Sequence, residues 1–150
     1  MKAGPERDLL ERYVVRARAM ARPLGIGGLD ITEVEEGRGR SAPERRREEA
    51  AALSGRLPPG TALLALDERG TSLASPAFAE RIGRLAESGT PALALAIGGP
   101  DGFDPAFRDG AREVIGFGAA TLPHQLVRVI LAEQVYRAFT ILAGHPYHRA

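Results

Sequence analysis

The residues best equipped for proton and hydrogen-bond chemistry gather at the end of the chain, in Gly144-His145-Pro146-Tyr147-His148-Arg149. An imidazole exchanges a proton near neutral pH. Tyr, His and Arg together can stack on, hydrogen-bond to and neutralise an RNA nucleotide. The competing reading is a disordered terminus, the usual fate of a chain end. The third histidine, His124, follows Pro123 at the head of a long helical stretch, where capping is an alternative to chemistry. No carboxylate is spaced to complete a metal set with these histidines, and there is no cysteine for a thiolate site, so no metal is expected.

A second constellation is Ile97-Gly98-Gly99-Pro100-Asp101-Gly102-Phe103, directly after an apolar run. Glycine has no Cβ, so such a loop can bring backbone N–H groups against a ligand. The plain alternative is a tight turn from strand to helix. The spacing matches neither a dinucleotide fingerprint nor a Gly-Lys-Ser/Thr phosphate loop, which argues against NAD and ATP. Gly116 and Gly118 interrupt the next apolar run, as glycines do where a backbone or ligand approaches a strand closely. At about 100° per residue, Arg128 falls on the face of Leu131, Ala132, Val135, Phe139 and Leu142. Glu133, Arg137 and Thr140 lie nearly opposite. An arginine on an apolar face either finds a partner or snorkels to the surface; a dimer interface or an active site would supply the partner.

These groups need elements to position them. Pro5 to Arg22 carries the stripe Leu9, Leu10, Tyr13, Val14 and Ala17 and predicts an amphipathic helix. The alternation Leu29 to Val34 fits a half-buried or edge strand. Glu35 to Pro43 is expected to be a mobile loop, and Glu44 to Leu53 a helix whose Arg45-Arg46-Arg47 run reads as a solvated face. Thr61 to Leu66 and Pro91 to Ile97 are continuous apolar runs, as in a parallel sheet covered on both faces. Asp67 to Gly70 reads as the loop after the first of these. Ser75-Pro76 and Asp104-Pro105 are cap-plus-proline starts, one opening a helix to about Ser88 and the other a short helix to about Glu113. Val114 to Ala120 is a short strand. Gln125 to Ala143 is the longest helix, stopped by Gly144. The order predicts an α/β fold with a mainly parallel sheet flanked by helices.

At 150 residues the chain suits one domain. No apolar run approaches the ~20 residues that span a bilayer, and no signal-peptide pattern opens the chain, so a cytoplasmic location is expected. The net charge of +1 gives no global basic field, but of the 20 Lys and Arg all except Lys2 are Arg. That bias reflects either a GC-rich genome or the preference for Arg at phosphate contacts.

Three blocks in order, IGGPDGF, TLPHQLVRVILAEQVYRAF and GHPYH, resemble the ribosomal RNA large subunit methyltransferase H family. These are SPOUT-type enzymes with a C-terminal trefoil knot, and the likeness is dense from Thr61 onward. The resemblance implies a single SPOUT-type domain over 1–150 that methylates N3 of a pseudouridine in 23S rRNA from S-adenosylmethionine. It implies a cofactor pocket at Leu66, Gly98 and the segment Phe117, Gly118, Ala119, Ala120, Thr121 and Leu122. Tyr147, His148, Arg149 and Arg128 would serve the nucleotide, with His148 the candidate base. It further implies a homodimer packed through the long helix, acting on a ribosomal surface without metal or membrane. The family opens with a β-strand that has no counterpart before Lys2-Ala3-Gly4-Pro5, so the first strand is expected to be missing and the native start to lie upstream. Two other classes stay open: a non-catalytic ribosome-binding module on the same scaffold, which would show no heat with S-adenosylmethionine, and a SPOUT enzyme acting on tRNA.

Overall fold

A computed structural model describes residues 2–149. Its contacts gather in two compact units. One is built from residues 32–72 and 89–121; the other takes the described residues through Ile31, Leu73–Ser88 and the chain from Leu122 onward.

The first unit holds a three-stranded parallel sheet of β1 (Ala62–Ser72), β2 (Leu93–Ile97) and β3 (Glu113–Gly116), in the order β2-β1-β3. The apolar run at the start of β1 takes the centre, and Ala62, Leu63, Leu64 and Ala65 are all buried. Leu63, Ala65, Ala96, Phe103 and Phe107 form a core cluster, with Ala50, Leu53 and Leu57 packed against it. Two helices thus bear on this core, α2 (Ala42–Ser54) and the five-residue α4 (Pro105–Asp109). Asp104 caps α4 as the sequence predicts, accepting the Phe107 N–H at 3.3 Å. Gly110 ends the helix well short of Glu113.

β1 runs past its expected end. Asp67 to Gly70 is a bulge rather than a terminal loop: the register with β3 jumps from Leu66 to Thr71, and both residues face Ile115. The stretch expected to be mobile is instead tied down. The amides of Gly37, Arg38 and Arg40 donate to carboxylate oxygens of Glu49, Glu48 and Glu44, respectively. Glu44 lies in the first turn of α2 and Glu48 and Glu49 one turn further on, and Ser41 completes the junction by accepting from the Glu44 amide. Nor is the triple arginine a plain solvated face, since Arg45 and Arg46 both bond to Asp101.

The second unit is helical: α1 (Pro5–Ala21), α3 (Ser75–Glu87) and α5 (His124–Ala143), with a short 3-10 turn at Arg22–Leu24. α1 and α5 pack closely through Leu10, Val14 and Val129, with Tyr13 and Ala132 beside them. Leu9, assigned above to the buried stripe, is 39% exposed; the stripe continues to Ala21 instead. α3 buries Phe78, Ala79 and Ile82. Its N-cap is Ala74 and not Ser75, whose hydroxyl donates to Gln134 of α5 at 2.7 Å. Leu29 to Val34 forms no strand. Its alternation is locally suitable, but it pairs with no ladder among the described residues, and Ile31 is half exposed. Gly144 adopts the left-handed conformation (φ 72°) that turns the chain back after α5.

Candidate functional site

Parallel strands deliver their carboxyl ends to one edge of a sheet, and ligands of α/β proteins bind beyond that edge. Here Leu66 stands opposite Ile97 of β2 and Ile115 of β3; Gly98 and Phe117 follow the ends of their strands, whereas Leu66, expected to end its strand, lies inside β1 just before the bulge. Three of the proposed cofactor positions therefore share one edge within the sheet unit.

The glycine loop at that edge is a tight turn. The Gly102 amide donates to the Gly99 carbonyl at 2.9 Å, with Pro100 and Asp101 at the corners. That amide is thus spent within the loop rather than offered to a ligand. Arg45 braces the turn from α2, its Nε and Nη2 donating to the two Asp101 oxygens at 2.8 and 3.2 Å. This hydrogen bond chiefly holds the Asp101 carboxyl below the usual carboxylate range. Beneath the loop, Arg46 Nε and Glu49 Oε1 are buried without a hydrogen-bond partner among the described residues. A Cβ on Gly99 would lie 2.5 Å from that Glu49 oxygen, and one on Gly98 would lie 3.1 Å from the Gly102 carbonyl carbon.

After β3 the character changes. Phe117 is half-buried, while Gly118, Ala119, Ala120, Thr121 and Leu122 are exposed. Gly118 has φ 117°, and the space where its side chain would be is open to 4 Å. A run of small, exposed residues leaves room for a planar ring. Beside it, the bulge carries Asp67, whose side chain is 8% exposed. Burial raises its pKa, but hydrogen bonds from the Arg69 amide and guanidinium outweigh that and leave it lowered.

In the helical unit the terminal segment folds back on α5. The His145 amide donates to the Thr140 carbonyl, and the Tyr147 hydroxyl donates to Glu133 Oε1 at 3.0 Å. The same oxygen accepts Arg137 Nε and Nη2 at 2.9 and 2.6 Å. The remaining guanidinium nitrogen, Nη1, meets His148 Nδ1 at 3.1 Å. The Tyr147 ring lies 4.6 Å from that of Tyr136 and 4.9 Å from the Arg137 guanidinium carbon. Burial, then the hydrogen bond to Glu133, push the Tyr147 phenol up to about 12. The Glu133 hydrogen bond raises Arg137 as well.

Of the tail residues singled out from sequence, Tyr147 and His148 are thus brought together and Arg149 stays exposed. Arg128 is half-buried on α5. His124 is the first residue of α5, and no side chain caps the helix there. Glu133 and Arg137 are what sequence reasoning missed. Their i,i+4 spacing reads as a surface pair, yet their side chains are only 17% and 24% exposed. The available signal was Gly144: a left-handed stop one turn after Thr140 sends the next residues back along that face.

Comparison with known proteins follows the same chain from end to end. A family model described as "Predicted SPOUT methyltransferase" matches residues 1–148. A ribosomal RNA large subunit methyltransferase H of Mesorhizobium japonicum is 57% identical over 150 residues, covering 100% of this chain and 94% of the relative. Proteins with the same name from Xanthobacter autotrophicus and Rhodopseudomonas palustris are 56% and 53% identical over the same shares.

Proposed function

Because the chain belongs to the ribosomal RNA large subunit methyltransferase H family of SPOUT methyltransferases, we propose that it methylates N3 of a pseudouridine in large-subunit ribosomal RNA, taking the methyl group from S-adenosylmethionine. The observation that carries this reading is the likeness over the whole chain, which takes in both glycine segments and the tail together. In this reading residues 1–150 act as one SPOUT-type methyltransferase domain with a trefoil knot.

The residues at the sheet edge fit the methyl donor. Leu66 precedes the bulge of β1, and Gly98 and Phe117 follow the ends of the two strands beside it. Gly118, Ala119, Ala120 and Thr121 are small and exposed, and Leu122, which the resemblance adds to them, is exposed as well. These would hold the adenine edge through main-chain groups. When bound, S-adenosylmethionine supplies an electrophilic methyl carbon on a cationic sulfur. The chain's share of the work is then positioning, which accounts for much of the rate in such a transfer.

Tyr147, His148 and Arg149 are assigned to the nucleotide, and Arg128 to a phosphate or to the dimer contact. Association as a homodimer through α5 is supported by Leu126 and Leu142, which stay 43% and 37% exposed on that helix, and by Leu122 just before it. A cytoplasmic site of action, on an assembled ribosomal surface, follows from the substrate.

The test uses large ribosomal subunits from a strain lacking the gene, with labelled S-adenosylmethionine. Methyl incorporation at a single pseudouridine, located by mass mapping, is the expected result. Binding to ribosomes without cofactor heat would make the chain a non-catalytic module, and label in tRNA alone would move the substrate. Light scattering that gives a monomer at micromolar concentration would remove the dimer.

A further inference from the structure

His148 is the obvious candidate to take the N3 proton, but its surroundings fit the opposite polarity. A guanidinium has only N–H donors and stays protonated. Its approach to His148 Nδ1 at 3.1 Å is a hydrogen bond only where Nδ1 offers a lone pair. In the neutral ring the proton then sits on Nε2. Arg137 cannot readily turn away to relax this demand. Its Nε and Nη2 are both committed to Glu133 Oε1, which is itself held by Tyr147, while Glu133 Oε2 accepts from Gln134 at 3.0 Å. The fork is therefore aimed, and Nη1 has one direction in which to point.

The geometry points to Arg137 as a positioning residue that fixes His148 in its Nε2–H form, so that His148 meets the nucleotide as a hydrogen-bond donor and not as a base. This rests on the reading of the chain as an N3 methyltransferase. In that reaction the N3–H bond breaks and its proton passes to water. The resulting negative charge spreads over N3 and the two carbonyl oxygens that flank it. The N3 electron pair then forms the N–CH3 bond, while the S–CH3 bond breaks and its electrons return to sulfur as a neutral thioether. A donor at His148 Nε2 toward one flanking carbonyl stabilises the charge as it develops, in the manner of an oxyanion-hole donor. A lone pair aimed at the same place would repel it.

Two measurements test this. The chain has only three histidines, so nitrogen NMR of the ring atoms resolves each, and His148→Gln identifies the signals of His148. The expected result at mildly alkaline pH is the Nε2–H tautomer for His148. It should persist in Arg137→Lys and give way to a mixture in Arg137→Met, with His124 and His145 unmoved. For turnover, a glutamine amide can stand in for the Nε2–H donor but cannot act as a base. His148→Gln should therefore keep about a tenth or more of wild-type turnover, while His148→Ala falls about a hundredfold or more, the usual loss for one such donor. An Nδ1–H tautomer in the wild-type protein, or His148→Gln as inactive as His148→Ala beside an active wild type, overturns the inference. A wild-type protein that transfers no methyl group overturns the methyltransferase reading and the donor role with it, and leaves the NMR to decide what Arg137 does to the ring.

Discussion

Replacing Tyr147 with Phe removes one oxygen and leaves the ring against Tyr136 and Arg137. The lost bond is the 3.0 Å donation to Glu133 Oε1. Glu133 is not orphaned, because Arg137 and Gln134 still reach both of its oxygens. The full penalty for a stranded charge therefore does not apply. A hydrogen bond to a charged group contributes about 1.5–3 kcal/mol, and a half-buried hydroxyl with a shared acceptor belongs at the lower end, about 1.5 kcal/mol. The other contacts of residues 145–148 described above are confined to the helical unit, so the loss should appear as local undocking of the tail, roughly tenfold in its equilibrium, rather than as global unfolding. Hydrogen exchange of the tail amides should accelerate by that factor while the melting temperature barely moves. Burial of the phenol, and after it this bond, sets a pH window. The folded phenol titrates near 12 against an ordinary 10, so its contribution is complete below pH 10 and is lost as pH rises through 12. An ultraviolet titration of the wild type in which no phenol is delayed beyond its ordinary value, with unchanged tail exchange in Tyr147→Phe, would refute the reasoning.

Phe78 is fully buried on α3, so Phe78→Ala should cost about 3–5 kcal/mol in urea denaturation; a loss under about 1 kcal/mol would mean the site collapses freely. Gly118→Val forces a branched residue to φ 117° in the segment assigned to the adenine edge. Calorimetry should show at least about a tenfold loss of S-adenosylmethionine affinity, with the circular dichroism of the fold retained. Truncation after Gly144 should abolish methyl transfer and spare cofactor binding, because the tail bears on α5 and on Tyr13 of α1, both in the helical unit; wild-type turnover without the tail would free the mechanism from it.

What the sequence declared well was whatever short-range chemistry decides. Asp104-Pro105 starts α4 because an aspartate oxygen and a fixed φ act within a few residues, and Gly144 ends α5 because glycine alone tolerates that turn cheaply. The apolar runs at 62–66 and 93–97 could be read as parallel strands for a similar reason, but β2, at the sheet edge, buries only Ala96, so the second is not the fully buried strand expected. Leu29 to Val34 misled because alternation prepares a strand but only a neighbouring ladder makes one. β1 was read short because its return to Ile115 beyond the bulge depends on a partner more than 40 residues away. The 35–40 stretch looked mobile by composition, since the carboxylates that clasp its amides read locally as surface charge on α2. For the candidate site, Gly98 and Phe117 follow strand ends as the sequence suggested, Leu66 lies inside β1 instead, and the Glu133–Arg137 support of the tail was not legible. Helical periodicity places that pair on the far side of the core stripe and is silent about a terminus that doubles back.

Glu49 gives the sheet unit a lever. One oxygen of its carboxylate holds the Gly37 amide at 3.1 Å, and the other lies under Gly99, where even a methyl group would not fit. The glycine turn and the segment before α2 therefore share a single rigid group as their fulcrum. Anything that presses Gly99 inward must push on that carboxylate and lengthen its bond to Gly37, 62 residues earlier in the chain. The Gly37 amide thus becomes a remote gauge of the turn, and its exchange rate should register occupancy of the sheet edge by a molecule that never touches it.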